Sequence, residues 1–361
     1  MCGFLGIAGL PGSNVAAELY EGLIALQHRG QDAAGILSYD GKFHLRKQNG
    51  MVRDIFQAHD MERLRGDLAI GHVRYPTVGG GAGEDAQPFY INYPFGVGMA
   101  HNGNLTNWVD LKANKFPAAN ICLESSCDVE AILYAFAMGL QRTLKRESLM
   151  ERVRVGVESA FEHAKGAYSV VGLLSDGAMF AFRDPYGIKP CIVGRRVTPE
   201  GTEWAVASES VAFDVLGFER YRDLKNGEAF VVVPGSDPVF LQIGHQKHTP
   251  CIFELVYFSR PDSFLDEVSV YKARQRFGEA LAAQWKDEGM PMPDVVIPIP
   301  DSARDAALSA ALALDVPYRE GFIKNRYIGR TFIMPNQAQR KSSIRRKLNP
   351  IPIEFEDRAV L

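Results

Sequence analysis

The sequence has little net charge, few cysteines and no long apolar run, and each shortage removes a class of function. Lys and Arg number 40 against 43 Asp and Glu over 361 residues, a formal net charge of −3. No global field therefore points to nucleic acid or an acidic membrane surface, and any anion site must be local. The five cysteines, Cys2, Cys122, Cys127, Cys191 and Cys251, are odd in number and dispersed, without the paired spacing of a zinc site or a disulfide framework. A reducing, cytoplasmic setting follows. No stretch approaches the roughly 20 apolar residues that cross a bilayer. The apolar N-terminus has no basic n-region and is ended early by Pro11-Gly12-Ser13, so it does not read as a signal peptide. Internal repeats and low-complexity segments are missing too. Gly79 to Gly83 lacks the trailing Gly-Lys-Ser/Thr of a phosphate-binding loop; a lid over a small substrate and a plain surface loop both fit it.

What is present is a 46% hydrophobic, 23% charged composition, that of a soluble globular protein, with length enough for two domains. The apolar, glycine-punctuated run of the first ten residues, Met1 to Leu10, reads as an opening strand, Asn14 to Gln27 as an amphipathic helix, and Ala34–Tyr39 and Phe43–Lys47 as strands joined by the turn signal Asp40-Gly41. Strands are expected again at Leu68–Arg74 and Phe95–His101, the latter ending in the turn Asn102-Gly103-Asn104. Helices follow at Asp128–Leu144, with Ser125-Ser126-Cys127 as capping candidates, and at Arg152–Ala164. Strands at Tyr168–Leu174, Met179–Arg183 and Trp204–Ser208 complete a strand-rich half, suggesting stacked sheets flanked by helices. The texture changes between 235 and 250. Beyond it, a helix from Val270 to Glu288, the buried-strand run Val295 to Pro300 and a helix through Ala303 to Leu314 give the alternation of a parallel sheet.

Cys2 stands directly behind the initiator methionine. Once Met1 is removed, one residue carries both a thiol and an α-amine, with reference pKa values of roughly 8.5 and 8, and can serve as nucleophile and base together. A small apolar strand residue is the competing reading. A thiolate attacking an amide needs donors where negative charge develops; Asn102 and Gly103 offer a side-chain amide and a backbone N–H, although Asn-Gly is also a common turn. Arg74, where a strand becomes a loop, suits a carboxylate held bidentately or a surface ion pair. Asp128 opens a helix, as a cap or as the partner of a substrate ammonium. His72 and His101 read as structural.

Taken together, Cys2-Gly3-Phe4-Leu5-Gly6-Ile7-Ala8-Gly9, Gln27-His28-Arg29-Gly30-Gln31-Asp32, His72-Val73-Arg74-Tyr75-Pro76-Thr77, His101-Asn102-Gly103-Asn104-Leu105-Thr106-Asn107, Arg183-Asp184-Pro185-Tyr186-Gly187-Ile188-Lys189-Pro190 and Ala207-Ser208-Glu209-Ser210 resemble the glutamine phosphoribosylpyrophosphate amidotransferase family. The first half alone would also fit glutaminases serving other acceptors. Tyr257-Phe258-Ser259-Arg260-Pro261-Asp262-Ser263, Ile297-Pro298-Ile299-Pro300-Asp301-Ser302-Ala303-Arg304 and Lys324-Asn325-Arg326-Tyr327-Ile328-Gly329-Arg330 look like that family's transferase half. The resemblance implies an α+β N-terminal-nucleophile glutaminase of four layers, α-β-β-α, at 2–235. It implies an α/β type I phosphoribosyltransferase domain at 250–361, incomplete at its C-terminal side.

By position, the resemblance makes Cys2 the nucleophile and Asn102 and Gly103 the oxyanion hole. Arg74 and Thr77 hold the glutamine α-carboxylate, Asp128 its ammonium, and Arg29 supports the site. Ser302 matches the pyrophosphate loop and the associated Mg2+; Lys324, Arg326 and Tyr327 match a loop that closes over phosphoribosylpyrophosphate. The basic residues from Lys324 to Lys347 agree with a polyphosphorylated ligand, although without the motifs a solvated basic loop or a nucleic-acid-binding tail is the better reading. The implied reaction releases ammonia from glutamine and transfers it to phosphoribosylpyrophosphate in purine biosynthesis. Purine nucleotides are the expected feedback ligands, and a homo-oligomer is expected for a full-length form. The sequence ends at Phe355 to Leu361, where the family begins a strand leading to an acidic, Thr-rich loop, so a truncated chain is expected and transferase activity of this length is in doubt. Cys251 matches a position used by iron–sulfur members, but such a cluster needs four thiolates, and none is expected. A glutaminase with another acceptor and a non-catalytic regulatory descendant are the alternatives.

Overall fold

The computed structural model describes residues 2–75, 83–143, 147–325, 327 and 344–361. The chain divides into two compact units, Met1–Cys251 and Ile252–Leu361.

Among the described residues the first unit is built on thirteen strands: β1 (Gly3–Ala8), β2 (Ala33–Tyr39), β3 (Phe43–Asn49), β4 (Leu68–Arg74), β5 (Phe89–Ile91), β6 (Val97–Leu105), β7 (Gly166–Leu174), β8 (Ala178–Arg183), β9 (Ile192–Thr198), β10 (Gly201–Ala207), β11 (Glu219–Asp223), β12 (Glu228–Val232) and β13 (Val239–Gln242). They form two antiparallel sheets, one in the order β11-β9-β10-β1-β4-β2-β3 and the other β13-β12-β8-β7-β6-β5. β1 is central, paired on both sides and buried along its whole length, which is why it reads as an apolar run without polar alternation. A Cβ at Gly6 would meet Met179 Sδ and Val171 Cγ2 at 2.7 Å, so glycine there lets the sheets close on each other. Phe4, Ile70, Val171, Leu173, Met179 and Phe230 fill the layer between them.

The Ala16–Ala25 helix covers the outer face of the first sheet through Leu19 and Leu23, beside Gly71. The Asp128–Gln141 and Leu149–His163 helices cover the second, with Phe136 stacked on Phe180 at 4.9 Å. Four α-β-β-α layers result. The exposed edge strand β3 carries His44, Arg46 and Lys47, charges that discourage edge pairing.

Two local expectations are corrected. Asn102-Gly103-Asn104 is not a turn: β6 runs on to Leu105, because each of these residues stays in register with β7 down to Leu105↔Gly166. Ser125 and Ser126 do not cap the Asp128–Gln141 helix; its N-cap is Cys127, without a side-chain bond. Ser125 Oγ instead accepts the Cys127 N–H at 3.1 Å and donates to Glu130 at 2.6 Å.

In the second unit the Val270–Asp287 and Arg304–Leu314 helices pack closely; a Cβ at Gly278 would lie 2.0 Å from the Ala306 carbonyl. A small core holds Ala282, Val296, Ala310, Ala311 and Leu314. The expected buried strand is reduced to two isolated bridges, at Val295 and Val296: Val295 to Ile297 are buried, whereas Ile299 is 53% exposed. Val296 makes a parallel bridge to Tyr318 and Val295 another to Val360, the parallel pairing read from the alternation. An antiparallel pair, Phe322–Lys324 with Leu348–Pro350, stands beside it.

Candidate active site

Cys2 lies at the head of β1 and is 6% exposed. Its backbone nitrogen is 3.4 Å from Asn102 Oδ1, and its Sγ is 3.6 Å from the Tyr75 carbonyl. The first contact joins the two sheets, since β1 belongs to one and β6 to the other. With Oδ1 so engaged, the buried Asn102 Nδ2 has no hydrogen-bond partner among the described residues, a donor lacking its acceptor. The neighbouring donor follows from strand alternation. The His101 N–H goes to Gln87 Oε1 at 2.8 Å and the Leu105 N–H to Asp128 Oδ2 at 2.8 Å, both away from β7. The Gly103 N–H, between them, therefore faces the same edge. A Cβ at Gly103 would sit 2.4 Å from the Ala167 carbonyl, so the close β6–β7 approach itself requires glycine.

Arg29 is fully buried. Its Nε donates to the Cys2 carbonyl at 3.1 Å, and its Nη1 pairs with Glu209, also fully buried. Glu209 Oε2 further meets His28 Nε2 at 2.9 Å. A Cβ at Gly30 would strike the Val73 backbone at 2.5 Å, which is how the Gln27–Arg29 turn presses onto β4.

Arg74, at the end of β4, is not a surface residue: it is 3% exposed, with Nη2 3.5 Å from Asp85 Oδ2. Asp128 is equally buried and is not a helix cap. Its carboxylate accepts the Leu105 N–H and stands 3.3 Å from His101 Nε2. Burial alone would push this carboxyl up; the pull of the His101 ring 3.3 Å away and the hydrogen bond from the Leu105 N–H outweigh burial and hold it below the usual 3.8. Burial first, then His101, holds His72 well below 6.5, and its Nε2 lies 3.0 Å from the His101 carbonyl. Burial and then Asp128 push the Cys127 thiol up to about 12; it receives a hydrogen bond from Gln87 Nε2 at 3.4 Å.

Cys2, Asn102, Gly103 and Arg29 are thus brought together, as are Arg74, Asp85 and the loop before Asp128; Thr77 lies outside the described residues. Asp85, Gln87 and Glu209 are participants that sequence reasoning gave no role. Glu209 stood in a quoted motif, but its partners are 180 and 181 positions away in the chain. A cavity of about 680 Å³ at the opposite end of the sheets, lined by Pro11, Ser13, Asp40, Asp67 and Asp176 among others, is reached by none of the candidates.

In the second unit, Lys324 pairs with Asp301, which also lies 3.4 Å from Arg304. Ser302 borders a largely apolar cavity of about 560 Å³ with Tyr257, Arg274 and Phe277. Tyr327 is 98% exposed, and Arg326 lies outside the described residues. Among the described residues no group of three or more His, Cys, Asp or Glu is placed to hold a metal, and no helix is long and apolar enough to cross a membrane.

Two stacked antiparallel sheets between helical layers, with a cysteine at the head of a central strand, define the class: the N-terminal-nucleophile glutamine amidotransferases. A family described as "Glutamine amidotransferase domain" matches residues 77–215. Amidophosphoribosyltransferase from Pseudomonas aeruginosa is 48% identical over 364 residues, covering 100% of this chain and 72% of that protein. The Saccharomyces cerevisiae protein of the same name is 47% identical over 374 residues, with the same coverages. Among solved structures, glutamine phosphoribosylpyrophosphate amidotransferase from B. subtilis, complexed with ADP and GMP, superposes with a TM-score of 0.81 at 33% identity, covering 99% of this chain and 74% of that one. The chain belongs to the amidophosphoribosyltransferase family.

Proposed function

We propose that this chain carries out the family's reaction with the residues assembled above, and that Asn102 Nδ2, beside Cys2 and without a partner among the described residues, is the observation that carries the assignment. Once Met1 is removed, the Cys2 thiolate attacks the glutamine side-chain carbonyl carbon. The resulting oxyanion is met by Asn102 Nδ2 and the Gly103 N–H, donors fixed before charge develops. The Cys2 α-amine, oriented by Asn102 Oδ1, takes the thiol proton and returns it to the leaving ammonia. Water then cleaves the thioester and frees glutamate. Arg74 and Thr77 hold the α-carboxylate and Asp128 the α-ammonium; Arg29 fixes the Cys2 carbonyl.

In the second unit, Ser302, Lys324, Arg326 and Tyr327 bind phosphoribosylpyrophosphate, whose pyrophosphate the ammonia displaces to give 5-phosphoribosylamine. The donors there fit Mg2+ as an ion carried by the substrate. A serine hydroxyl and an Asp301 carboxylate paired with Lys324 form no cage of their own, and Mg2+ keeps waters and phosphate oxygens as ligands. Ser302 is the residue that would touch the ion, which when bound would supply neutralisation of the diphosphate leaving group. Purine nucleotides act as feedback ligands, a reading supported by the B. subtilis complex with ADP and GMP; the setting is cytoplasmic and the full-length form is a homo-oligomer.

The test is glutamate release by the parent and Cys2→Ala. Loss of at least about 10³-fold is expected; unchanged hydrolysis removes Cys2 as nucleophile. Stimulation by phosphoribosylpyrophosphate separates this reading from a glutaminase with another acceptor.

A further inference from the structure

We propose that Asp85 is the positioning residue that fixes the two halves of the site reading the α-amino acid head of glutamine, an inference that rests on Arg74 and Asp128 being those halves. Asp85 is fully buried in the single turn Gly83–Asp85. Its Oδ1 accepts the Ser126 N–H at 2.8 Å; its Oδ2 accepts the Ser126 hydroxyl at 2.7 Å and lies 3.5 Å from Arg74 Nη2. One carboxylate therefore ties the end of β4 to the segment that enters the Asp128–Gln141 helix.

The turn is itself clamped. Lys47, on β3, donates to the Ala86 carbonyl at 2.5 Å and the Glu84 carbonyl at 3.3 Å, the two flanking Asp85, with its ammonium 3.8 Å over the Phe89 ring. An α-amino acid presents carboxylate and ammonium on one carbon, so reading both requires Arg74 and Asp128 at a fixed separation, and small misplacements at such sites are costly. Arg74 is a planar fork, and the Asp85 contact at its Nη2 restrains where that fork stands relative to Asp128.

Asp85→Asn keeps the shape and removes the charge. The KM for glutamine is expected to rise about 30-fold with kcat within about 3-fold. Inactivation by a diazoketone analogue of glutamine, which keeps the amino acid head, should slow by the same factor. Alkylation of Cys2 by iodoacetamide, which lacks that head, should keep its rate, something a general loosening of the fold would not allow. In the Arg74→Lys background, Asp85→Asn should add less than about 3-fold. If Arg74→Lys and Asp128→Asn raise KM while Asp85→Asn does not, the inference is overturned. If neither of those two raises KM, the underlying assignment of the glutamine site fails instead. Should Asp85→Asn not fold, Ser126→Ala decides: it removes one hydroxyl from the tie, and a rise of about 3-fold in KM is expected, against no change if Asp85 positions nothing.

Discussion

Replacing Glu209 by Gln tests whether the nucleophile is held by a buried charge pair. Arg29 and Glu209 are both 0% exposed and in direct contact, and Arg29 Nε carries the Cys2 carbonyl at 3.1 Å. Glu209→Gln keeps the volume but takes from a buried guanidinium the countercharge it has on Glu209. Breaking one side of a buried pair costs about 3–5 kcal/mol. For a unit of this size, each kcal/mol shifts Tm by about 2–4 °C, so a fall of about 10 °C is expected. Calorimetry measures the shift, and initial rates of glutamate release on the folded fraction measure its effect on Cys2. The double variant Arg29→Met/Glu209→Leu should recover most of the stability, because apolar residues can replace a buried pair at little cost. It should remain about 10-fold or more slower, since the hydrogen bond to the Cys2 carbonyl is gone. A Glu209→Gln protein melting within about 2 °C of the parent would falsify the account, as would a double variant of full activity.

Asn102→Ala removes the proposed side-chain donor and should lower kcat for glutamine about 10²–10³-fold, with steady-state kinetics as the check; a change in KM alone argues against an oxyanion role. Asp128 has a depressed carboxyl, so its ionised form contributes stability that is fully present above the ordinary value near 3.8 and is lost as pH falls through the lower folded value. The stability difference between the parent and Asp128→Asn should therefore close as pH falls through the acid range below 3.8, as urea unfolding at a series of pH values will show; a difference that stays constant through that range contradicts the depressed carboxyl. Cys127, with its thiol raised to about 12, should stay unmodified when brief iodoacetamide treatment at about pH 8 labels Cys2, read by peptide mass mapping; comparable labelling of Cys127 argues against its burial.

Much of this was legible in the residues because the signals are local. β1 declares itself as a run of apolar side chains and glycines, since a central strand has no solvent face on which to place polar ones. The Val270–Asp287 and Arg304–Leu314 helices follow from periodicity, and Cys2 is marked by its place in the chain. The extent of β6 was not legible: Asn102-Gly103-Asn104 has the chemistry of a turn, and only register with β7 keeps it extended through Leu105. Arg74 and Asp128 each had an ordinary explanation, a surface ion pair or a helix cap. Both gave way because each side chain is buried against a partner from another element.

The sequence by itself determined which residue is the candidate nucleophile, the order of the elements and, through its motifs, the family they belong to. Those depend on residue type and short spacing, which the chain carries along its length. Tertiary structure alone decided which charges face one another: Arg29 with Glu209, Arg74 with Asp85, His101 with Asp128. Such pairs join positions far apart in the chain, and the energy that fixes them arises only when folding removes both groups from water and leaves each as the other's compensation.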